Sequence, residues 1–449
     1  MNSLKKISSQ ELDKLTINTA SLSKSIAHFA RPTGPDLLAR THRLYQWVEA
    51  RRDSGVWPYV RSLDSAPTST TAIHYETGHA GGGINLASQD YLGLSSHPAV
   101  IVAAKEAIDK FGVHSAGSGA LLGNTSLSVQ LEKEIAELLH MKHALLFPTG
   151  WGAGFGVVVA LVRSNDHIVM DELAHACLQQ GAQAATSNIV SVRHLETEAF
   201  REAISSIRKK DVQNGILVIT EGVFSMDADS PDIRALQAIC REYGATLMVD
   251  IAHDFGSLGP NGTGQIGLQG MLGDIDIVMG SFSKTFASNG GFVAVNSPEA
   301  KQFIQIYAGP WMFSNALSPV QAATILQALR IVRSPEGNLL RDRLMTAINS
   351  IRDEFSKGGI NCLGEPTPIV PTPVGSDAIG RIASRIAFSK GVIVNLCEFP
   401  VVPVNASRLR IQMMAAHTES HARDGARFIL ESLKEANDIL INIKKNILN

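Results

Sequence analysis

A lone lysine, Lys284, lies among hydroxyl-bearing residues and glycines in residues 280–291. Apolar, strand-like segments flank it, at residues 276–279 before and 292–295 after. Partial burial of an ammonium group between two strands costs free energy, which favours a functional role for this lysine. A desolvated lysine has a lowered pKa and forms Schiff bases with carbonyl compounds. The alternative is a solvated loop lysine, so the prediction depends on the residues that surround Lys284.

Further polar residues follow the other strand-like segments of the same region. Gly150 and Trp151 open a helix after residues 144–147, and the others are His175, Ser225, Asp250, His253 and Ser281. In open α/β sheets, ligands bind beyond the carboxyl ends of the parallel strands. We therefore expect these residues and Lys284 to lie at one edge of a sheet and to form one site.

The residue types at this edge fit pyridoxal 5'-phosphate (PLP), and we predict that Lys284 holds this cofactor as a Schiff base. A phosphate dianion suits a helix N-terminus, here at Gly150 and Trp151, with the hydroxyl of Ser281 beside it. The pyridine ring accepts electrons when its nitrogen is protonated, which a buried carboxylate such as Asp250 supports. The alternatives are an ordinary strand-to-helix turn at Gly150, and a helix cap or metal ligand at Asp250.

Histidines and arginines complete the candidate site. The imidazole of His175 is placed to stack on the cofactor ring, and His253 is placed to reach its phenolic oxygen. Arg408 and Arg410 share one face of a predicted strand, and one guanidinium group can bind a substrate carboxylate through two hydrogen bonds. The alternatives are structural histidines and ordinary surface charge.

Strand-like and helical segments alternate from about residue 97 onward. Seven apolar strands are predicted over residues 144–147, 167–171, 189–192, 216–220, 246–250, 276–279 and 292–295. Near-continuous apolar strands separated by helices indicate a mostly parallel sheet that is covered on both faces. The sequence therefore predicts an α/β fold with a mostly parallel seven-stranded sheet.

The chain exceeds the length of one ordinary core, and we predict three parts. Residues 1–83 form a loosely attached helical arm and a turn-rich linker. Residues 84–318 form the large cofactor-binding domain, and residues 319–449 form a small C-terminal α+β domain. The arm is predicted because the first residues are polar and end at a proline- and glycine-rich break near residues 31–35.

The composition argues against several classes of function. The 449 residues carry a net charge of −2 and no basic block, which is atypical of nucleic-acid binding. The four cysteines are far apart and lack metal-ligand spacing, so we expect reduced thiols, no metal site and a cytoplasmic protein. No apolar run approaches the length of a transmembrane helix, and we expect no signal peptide.

Together, the motifs resemble those of the α-oxoamine synthases, PLP-dependent enzymes of aminotransferase fold type I. The resemblance covers roughly residues 84–435. The matching motifs are Gln89-Asp-Tyr-Leu-Gly-Leu94, Thr149-Gly-Trp151, Asp171-Glu-Leu-Ala-His175, Glu221-Gly-Val-Phe-Ser-Met-Asp227, Val249-Asp-Ile-Ala-His253, Ser281-Phe-Ser-Lys284, Phe313-Ser-Asn315, and Arg408-Leu-Arg-Ile-Gln412 with Ala416-His-Thr418. Their common order along the chain makes the match specific.

The resemblance implies a role for each matching residue. The implied catalytic residues are Lys284, His175, Asp250 and His253. The implied cofactor-binding residues are Gly150, Trp151, His175, Ser225, Asp250, His253, Ser281, Lys284, Ser314 and Asn315. Ser314 and Asn315 match a segment that reaches the phosphate of the neighbouring subunit, which implies a homodimer with shared active sites. Arg410 matches the arginine that binds the substrate carboxylate, and Gln89 lies at a position near the amino acid.

The implied reaction is a decarboxylative, Claisen-type condensation. A small amino acid (glycine, alanine or serine) would react with an acyl thioester, on CoA or a carrier protein, to give an α-aminoketone, CO2 and a free thiol. The alternative is another fold type I PLP enzyme, an aminotransferase or a retro-aldol enzyme. A non-catalytic synthase subunit should lack the lysine, and a PLP-sensing regulator should have a DNA-binding module before residue 84; the sequence has Lys284 and no such module there.

Several positions depart from the family pattern. Gln89 stands where asparagine is commoner, Ser281 replaces a threonine, and Asp254-Phe255 replaces a commoner Gly-Thr. The loop of residues 116–123 lacks an arginine that often follows its Gly-Ser pair. These changes preserve the expected cofactor site but leave the amino acid and the acyl chain open.

Overall fold

The computed structural model describes residues 16–75 and 80–448. Its strands are, in chain order, β1 (Arg61–Leu63), β2 (Thr70–Tyr75), β3 (Ala80–Asn85), β4 (His143–Phe147), β5 (His167–Asp171), β6 (Ile189–Val192), β7 (Ile216–Glu221), β8 (Thr246–Asp250), β9 (Ile277–Ser281), β10 (Gly291–Val295), β11 (Ile369–Gly375), β12 (Val392–Ile393), β13 (Asn395–Cys397) and β14 (Ser407–Gln412). Its α-helices are Thr19–Leu22, His42–Asp53, Pro98–Phe111, Ser126–Leu138, Gly150–Leu161, Ala176–Ala185, Thr197–Arg208, Ile233–Tyr243, Gly264–Leu268, Pro298–Tyr307, Gly309–Met312, Pro319–Val332, Pro335–Lys357, Asp377–Ser389 and Glu419–Leu448.

Contacts divide the described residues into two units. The large unit runs from Gln89 to Asp342, and the composite unit combines the residues up to Ser88 with those from Arg343 onward. The N-terminal and C-terminal parts of the chain are therefore grouped together by their contacts. The sequence-based division, with boundaries at residues 83 and 318, treats them separately and stays a prediction.

The large unit is built on a seven-stranded sheet with the order β4-β10-β9-β8-β7-β5-β6. Strand β5 pairs in parallel with β6 and β7, and the parallel pairing continues from β7 to β8 and from β8 to β9. Strand β10 is antiparallel to β9 and β4. The predicted α/β fold with a mostly parallel seven-stranded sheet is confirmed.

Burial and capping explain why these segments form the predicted elements. Every residue of β7 is buried, as expected for a central strand that is covered on both faces. The helix Ile233–Tyr243, which precedes β8, begins where the Asp232 carboxylate accepts the N–H of Ala235. It ends at Gly244, whose φ of 61° is left-handed and favours glycine.

The composite unit contains two small sheets, with the orders β1-β2-β3-β12 and β11-β14-β13. The first occupies much of the segment that we predicted to be a turn-rich linker, so that prediction is wrong. Its glycines allow a close approach of two chains: a Cβ atom at Gly83 would lie 2.7 Å from the Cα of Gly391, just before β12. Strand β2 shows alternating burial, with Thr71 and Ile73 buried on one face.

Side chains of the C-terminal part of the chain contact the N-terminal segment (residues 16–63), so the expectation of a loosely attached arm is wrong for residues 16–35. Two buried arginines, Arg51 and Arg381, bind the carboxylate of Glu398 at 2.8 and 2.7 Å. Arg381 also donates to the carbonyl of Lys24 at 2.6 Å. The Arg51 guanidinium lies 4.7 Å from the ring centroid of Trp47, a cation–π contact. Residues 1–15 lie outside the described part of the chain.

Candidate active site

The carboxyl ends of the central strands bring most of the predicted residues of the large unit together. The acids Glu221 and Asp250 end β7 and β8, and Ser281 ends β9, two residues beyond the predicted end of that strand. Parallel pairing aligns the ends of β7 and β8, because Glu221 and Asp250 are register partners. This edge is where an open α/β sheet binds its ligand.

A cavity of about 190 Å³ lies at this edge. Its lining residues are Gly150, Trp151, His175, Cys177, Glu221, Asp250, Ala252, His253, Met279, Ser281, Ser283 and Lys284. Seven of the ten predicted cofactor-binding residues are therefore among its lining. Lys284 itself is half-buried, three residues beyond the end of β9.

Two acids line the cavity with Lys284. Burial raises the pKa of both Glu221 and Asp250 above the usual carboxyl range. The charge of Asp250 raises the pKa of Glu221 further, whereas nearby His175 and Lys284 lower that of Asp250. Asp250 is therefore the acid of the pair that ionises more readily, and its Oδ1 accepts the N–H of Ala252 at 2.9 Å.

The first turn of the helix Gly150–Leu161 forms a cradle beside β9. Thr149 caps this helix by accepting the N–H of Gly152 at 2.9 Å, which leaves the N–H groups of Gly150 and Trp151 without an intrahelical acceptor. A Cβ atom at Gly150 would lie 2.5 Å from the Cβ of Ser281, so only glycine fits there. The hydroxyls of Ser281 and Ser283 lie 2.7 Å apart. Unpaired N–H groups, hydroxyls and a nearby lysine fit the phosphate and the aldehyde of PLP.

The two predicted histidines differ in environment. His175 is exposed at the cavity. Its backbone N–H donates to Glu221 Oε1 at 2.5 Å, and its ring Nδ1 accepts the backbone N–H of Cys177 at 3.3 Å. His253 is buried, and its Nδ1 lies 3.0 Å from the hydroxyl of the buried Tyr91. Each ring therefore has a hydrogen-bonding partner at its Nδ1.

Three further residues of the large unit were not assigned a role from the sequence. Glu221 and Tyr91 lie inside matched motifs whose other residues were assigned roles. Those motif matches could therefore have identified both residues. His194 had no such signal. Its Nδ1 lies 2.9 Å from Asp171 Oδ1, and its Nε2 lies 3.1 Å from the carboxylate of Asp229. It therefore joins the end of β5 to the loop that follows β7.

Three predicted cofactor-binding residues and Gln89 are not among the residues that line the cavity. Ser225 is half-buried in the loop after β7, and Gln89 is half-buried just before Asp90. Ser314 is half-buried and Asn315 is exposed, and Asn315 forms an isolated bridge with Ser118. The position of Ser314 and Asn315 away from the cavity is compatible with the expectation that they serve a neighbouring subunit.

Arg410 belongs to the composite unit, where it lies on β14 and is 8% exposed. Antiparallel pairing places Asn395 of β13 opposite Arg410, and Cys397 opposite Arg408. Leu396 points to the other face, where it packs against the helix Asp377–Ser389. The two arginines therefore share the sheet face that this helix leaves uncovered.

The helices give no sign of a membrane span. Within residues 16–75 and 80–448, every helix is too short or too polar to cross a bilayer.

The chain is similar to known proteins over most of its length. Residues 82–429 match the family model described as aminotransferase class I and II. An 8-amino-7-oxononanoate synthase from Geobacter metallireducens is 35% identical over 334 residues, 74% of this chain and 84% of the relative. A serine palmitoyltransferase from Sphingobacterium spiritivorum is 29% identical over 389 residues, 87% of this chain and 95% of the relative.

Solved structures show the same fold. The structure of Sphingomonas wittichii serine palmitoyltransferase aligns with a TM-score of 0.83 at 26% identity, covering 90% of this chain and 99% of that one. A structure of SPT with a PLP internal aldimine aligns with the same TM-score, identity and coverage.

Proposed function

Because the chain belongs to the α-oxoamine synthases, PLP-dependent enzymes of the aminotransferase class I and II family, we propose that it condenses a small amino acid with an acyl thioester. The products are an α-aminoketone, CO2 and a free thiol. The observation that carries the proposal is the cavity that Lys284 shares with the buried acid Asp250. We propose glycine, alanine or serine as the amino acid, and CoA or a carrier protein as the acyl donor.

Residues of the cavity are proposed to hold the cofactor. Lys284 would hold PLP covalently, and Asp250 would bind its pyridine nitrogen. Gly150, Trp151 and Ser281, at the first turn of the helix Gly150–Leu161, would bind the phosphate. His175 would contact the ring, and His253, with Ser225, would bind the phenolic oxygen. When bound, PLP accepts the electron pair that is released at the substrate Cα.

Each side chain then has a defined task. The Asp250 carboxylate keeps the pyridine nitrogen protonated, because it ionises more readily than Glu221. The Lys284 amine would remove the α-proton of the amino acid and later return a proton to the same carbon. The exposed imidazole of His175 orients the substrate carboxylate and polarises the thioester carbonyl. In the net reaction one C–C bond forms, the C–S bond of the thioester breaks, and the amino acid loses CO2.

Two further residues are proposed to bind the amino acid. The Arg410 guanidinium group binds its carboxylate, as two parallel hydrogen bonds from one arginine favour this geometry. Gln89 lies near the amino acid, where the longer amide replaces the commoner asparagine.

The oligomer that we propose is a homodimer in which Ser314 and Asn315 serve the partner's site. Leu121, Leu122 and Phe313 are each at least 85% exposed, which is unusual for large apolar side chains of a monomer. Phe313 adjoins Ser314 and Asn315 directly in sequence, and the Asn315 bridge to Ser118 connects to the loop that carries the two leucines. A second copy of the chain would cover these side chains.

The location that we propose is the cytoplasm. All four cysteines are free thiols, which suits a reducing compartment.

The test of the proposed function is a product assay on the PLP-loaded protein. Glycine, L-alanine and L-serine are each combined with a series of acyl-CoA chain lengths, and thiol and CO2 are measured together. Equal amounts of both products support the condensation. An aminotransferase would form an oxo acid without releasing thiol, and a retro-aldol enzyme would cleave a β-hydroxy amino acid without any thioester. Either result without thiol release contradicts the proposal.

A further inference from the structure

The N-terminal segment holds the strand that flanks Arg410. Three of its side chains, Arg51, Tyr59 and Arg61, contact four of the five residues in 394–398. The contacts are Arg61 Nη1 to Val394 O at 3.1 Å, Arg61 Nη2 to Asn395 Oδ1 at 2.7 Å, Tyr59 Oη to Leu396 O at 3.1 Å, and Arg51 Nη1 to Glu398 Oε1 at 2.8 Å. Strand β13 is the edge strand of its sheet. Its outer side is thus fixed by side chains of the N-terminal segment.

Asn395 is the residue of this strand that shares a sheet face with Arg410. The two are direct partners in the antiparallel pairing of β13 with β14. Side chains of directly opposed residues stand next to each other, with Cβ atoms about 4.5–5.5 Å apart. An amide group therefore lies beside the guanidinium group that is proposed to bind the substrate carboxylate.

The Asn395 amide has a fixed orientation. Its Oδ1 accepts from Arg61, and its Nδ2 donates to the carbonyl of Ala87 at 3.0 Å. An amide nitrogen carries two N–H donors, so one further donor accompanies the bond to Ala87. The positive charge of Arg61 at the oxygen polarises the amide and makes that remaining N–H a stronger donor.

We propose that Asn395, oriented by Arg61, is a second binding residue for the amino-acid carboxylate, next to Arg410. This inference rests on the proposed function, in which Arg410 binds that carboxylate. A carboxylate has about four acceptor sites and a bidentate arginine uses two of them, which leaves room for an amide donor. Arg61 is then a positioning residue, and the N-terminal segment has a role in substrate binding.

The experiment compares ligands that differ only in the carboxylate. The PLP-loaded protein is titrated with glycine, L-alanine and L-serine, and with methylamine, ethylamine and ethanolamine, which lack the carboxylate. The visible absorbance of the bound cofactor reports each Kd. The variants are Arg61→Gln, Arg61→Lys, Asn395→Ala and Asn395→Asp, with Arg43→Gln as the control at an exposed arginine of the same segment.

The expected result is a selective weakening of amino-acid binding. Arg61→Gln and Asn395→Ala raise the Kd of the amino acids about tenfold and leave the amines within about twofold, because only the amino acids use the lost hydrogen bond to a charged group. Arg61→Lys keeps one donor to Asn395 and gives an intermediate Kd. Arg43→Gln behaves like the wild type.

The inference is overturned if Arg61→Gln and Asn395→Ala raise the Kd of amino acids and amines equally, or if they leave amino-acid binding unchanged. If Arg61→Gln fails to fold, Asn395→Asp decides, since it keeps an oxygen for Arg61 but replaces the amide donor by a repelling charge. Asn395→Asp should raise the Kd of the amino acids more than any other variant does. A wild-type protein whose cofactor absorbance responds to none of the six ligands would instead contradict the proposed function itself.

Discussion

Glu221 and Asp250 lie directly opposite each other at the carboxyl ends of β7 and β8, and both carboxyl groups are buried. Two adjacent buried acids cannot both ionise without a large cost, so their titrations depend on each other. Burial and the charge of Asp250 raise the pKa of Glu221, and the charge of Lys284 opposes this. The arrangement therefore assigns the negative charge to Asp250 and a proton to Glu221.

Asparagine and glutamine substitutions should separate these two roles. Asp250→Asn removes the carboxylate that supports the pyridine nitrogen, and we expect kcat to fall about 10³-fold. Glu221→Gln replaces a protonated acid by a neutral amide, which can still accept the N–H of His175, and we expect a loss within about fivefold. Steady-state kinetics at pH 7 on PLP-loaded protein measure both. Similar losses in the two variants would contradict this division of charge.

Mixed dimers should show whether active sites are shared. Lys284→Ala should lose the visible cofactor absorbance and all turnover. Ser314→Asp should be strongly impaired, because its carboxylate would repel the cofactor phosphate. If Ser314 serves the partner's site, a mixture of the two variants should regain up to about a quarter of wild-type activity, because each heterodimer has one intact site. The unmixed variants are the controls, and no recovery after verified subunit exchange would place Ser314 in its own subunit's site.

The sheet and much of the cavity could be predicted from the sequence because both follow local rules. Apolar runs predicted all seven strands, and the carboxyl ends of parallel strands placed Asp250, His253 and Lys284 at one edge. Strand β3 escaped prediction because its three glycines looked like turn residues, and β1 and β2 escaped with it as part of the same segment. Gly83 is instead needed for a close approach of Gly391, which is distant in sequence.

Contacts that depend on the pairing of distant segments could not be predicted in this way. His194 is separated from Asp171 by 23 residues and from Asp229 by 35, and only the sheet order brings the three together. Arg61 and Asn395 are 334 residues apart. No periodicity or motif connects such pairs, and a polar side chain alone does not disclose its partner.

The buried Asp254 should make the protein less stable at alkaline pH. Its carboxylate accepts the N–H of Gln265 at 2.6 Å, but burial raises its pKa to about 7. The folded state thus binds the proton more tightly than the unfolded chain, whose pKa is 3.8. The stability that this group contributes is complete below pH 3.8 and is lost as the pH rises through 7.

Asp254→Asn should remove this dependence. Asparagine can accept the same N–H but cannot ionise, so the variant should be about 4 kcal/mol more stable than the wild type at pH 8 and similar to it at pH 4. Thermal unfolding at both pH values measures the difference in Tm. Asp274→Asn, at an acid whose side chain is 56% exposed, is the control. If the variant and the wild type differ in Tm by the same amount at pH 4 and at pH 8, the ionisation of Asp254 is not the cause of the difference.

His194 should stabilise the protein through its positive charge. Burial disfavours the imidazolium form, but hydrogen bonds to Asp171 and Asp229 outweigh this and raise the pKa of His194 to about 10. Its contribution to stability is therefore complete below pH 6.5, the value in the unfolded chain, and is lost as the pH rises through 10. The protein should lose stability in this alkaline range.

His194→Gln should be most destabilising at neutral pH. The variant leaves the buried Asp171 without its cation, and we expect a loss of about 3 kcal/mol at pH 7. The loss should shrink above pH 10, where the wild-type imidazole is neutral as well. Thermal unfolding between pH 7 and pH 10.5 measures this, with His42→Gln at an exposed histidine as the control. If the loss stays constant across this range, His194 acts through packing, and its charge has no part in joining the end of β5 to the loop after β7.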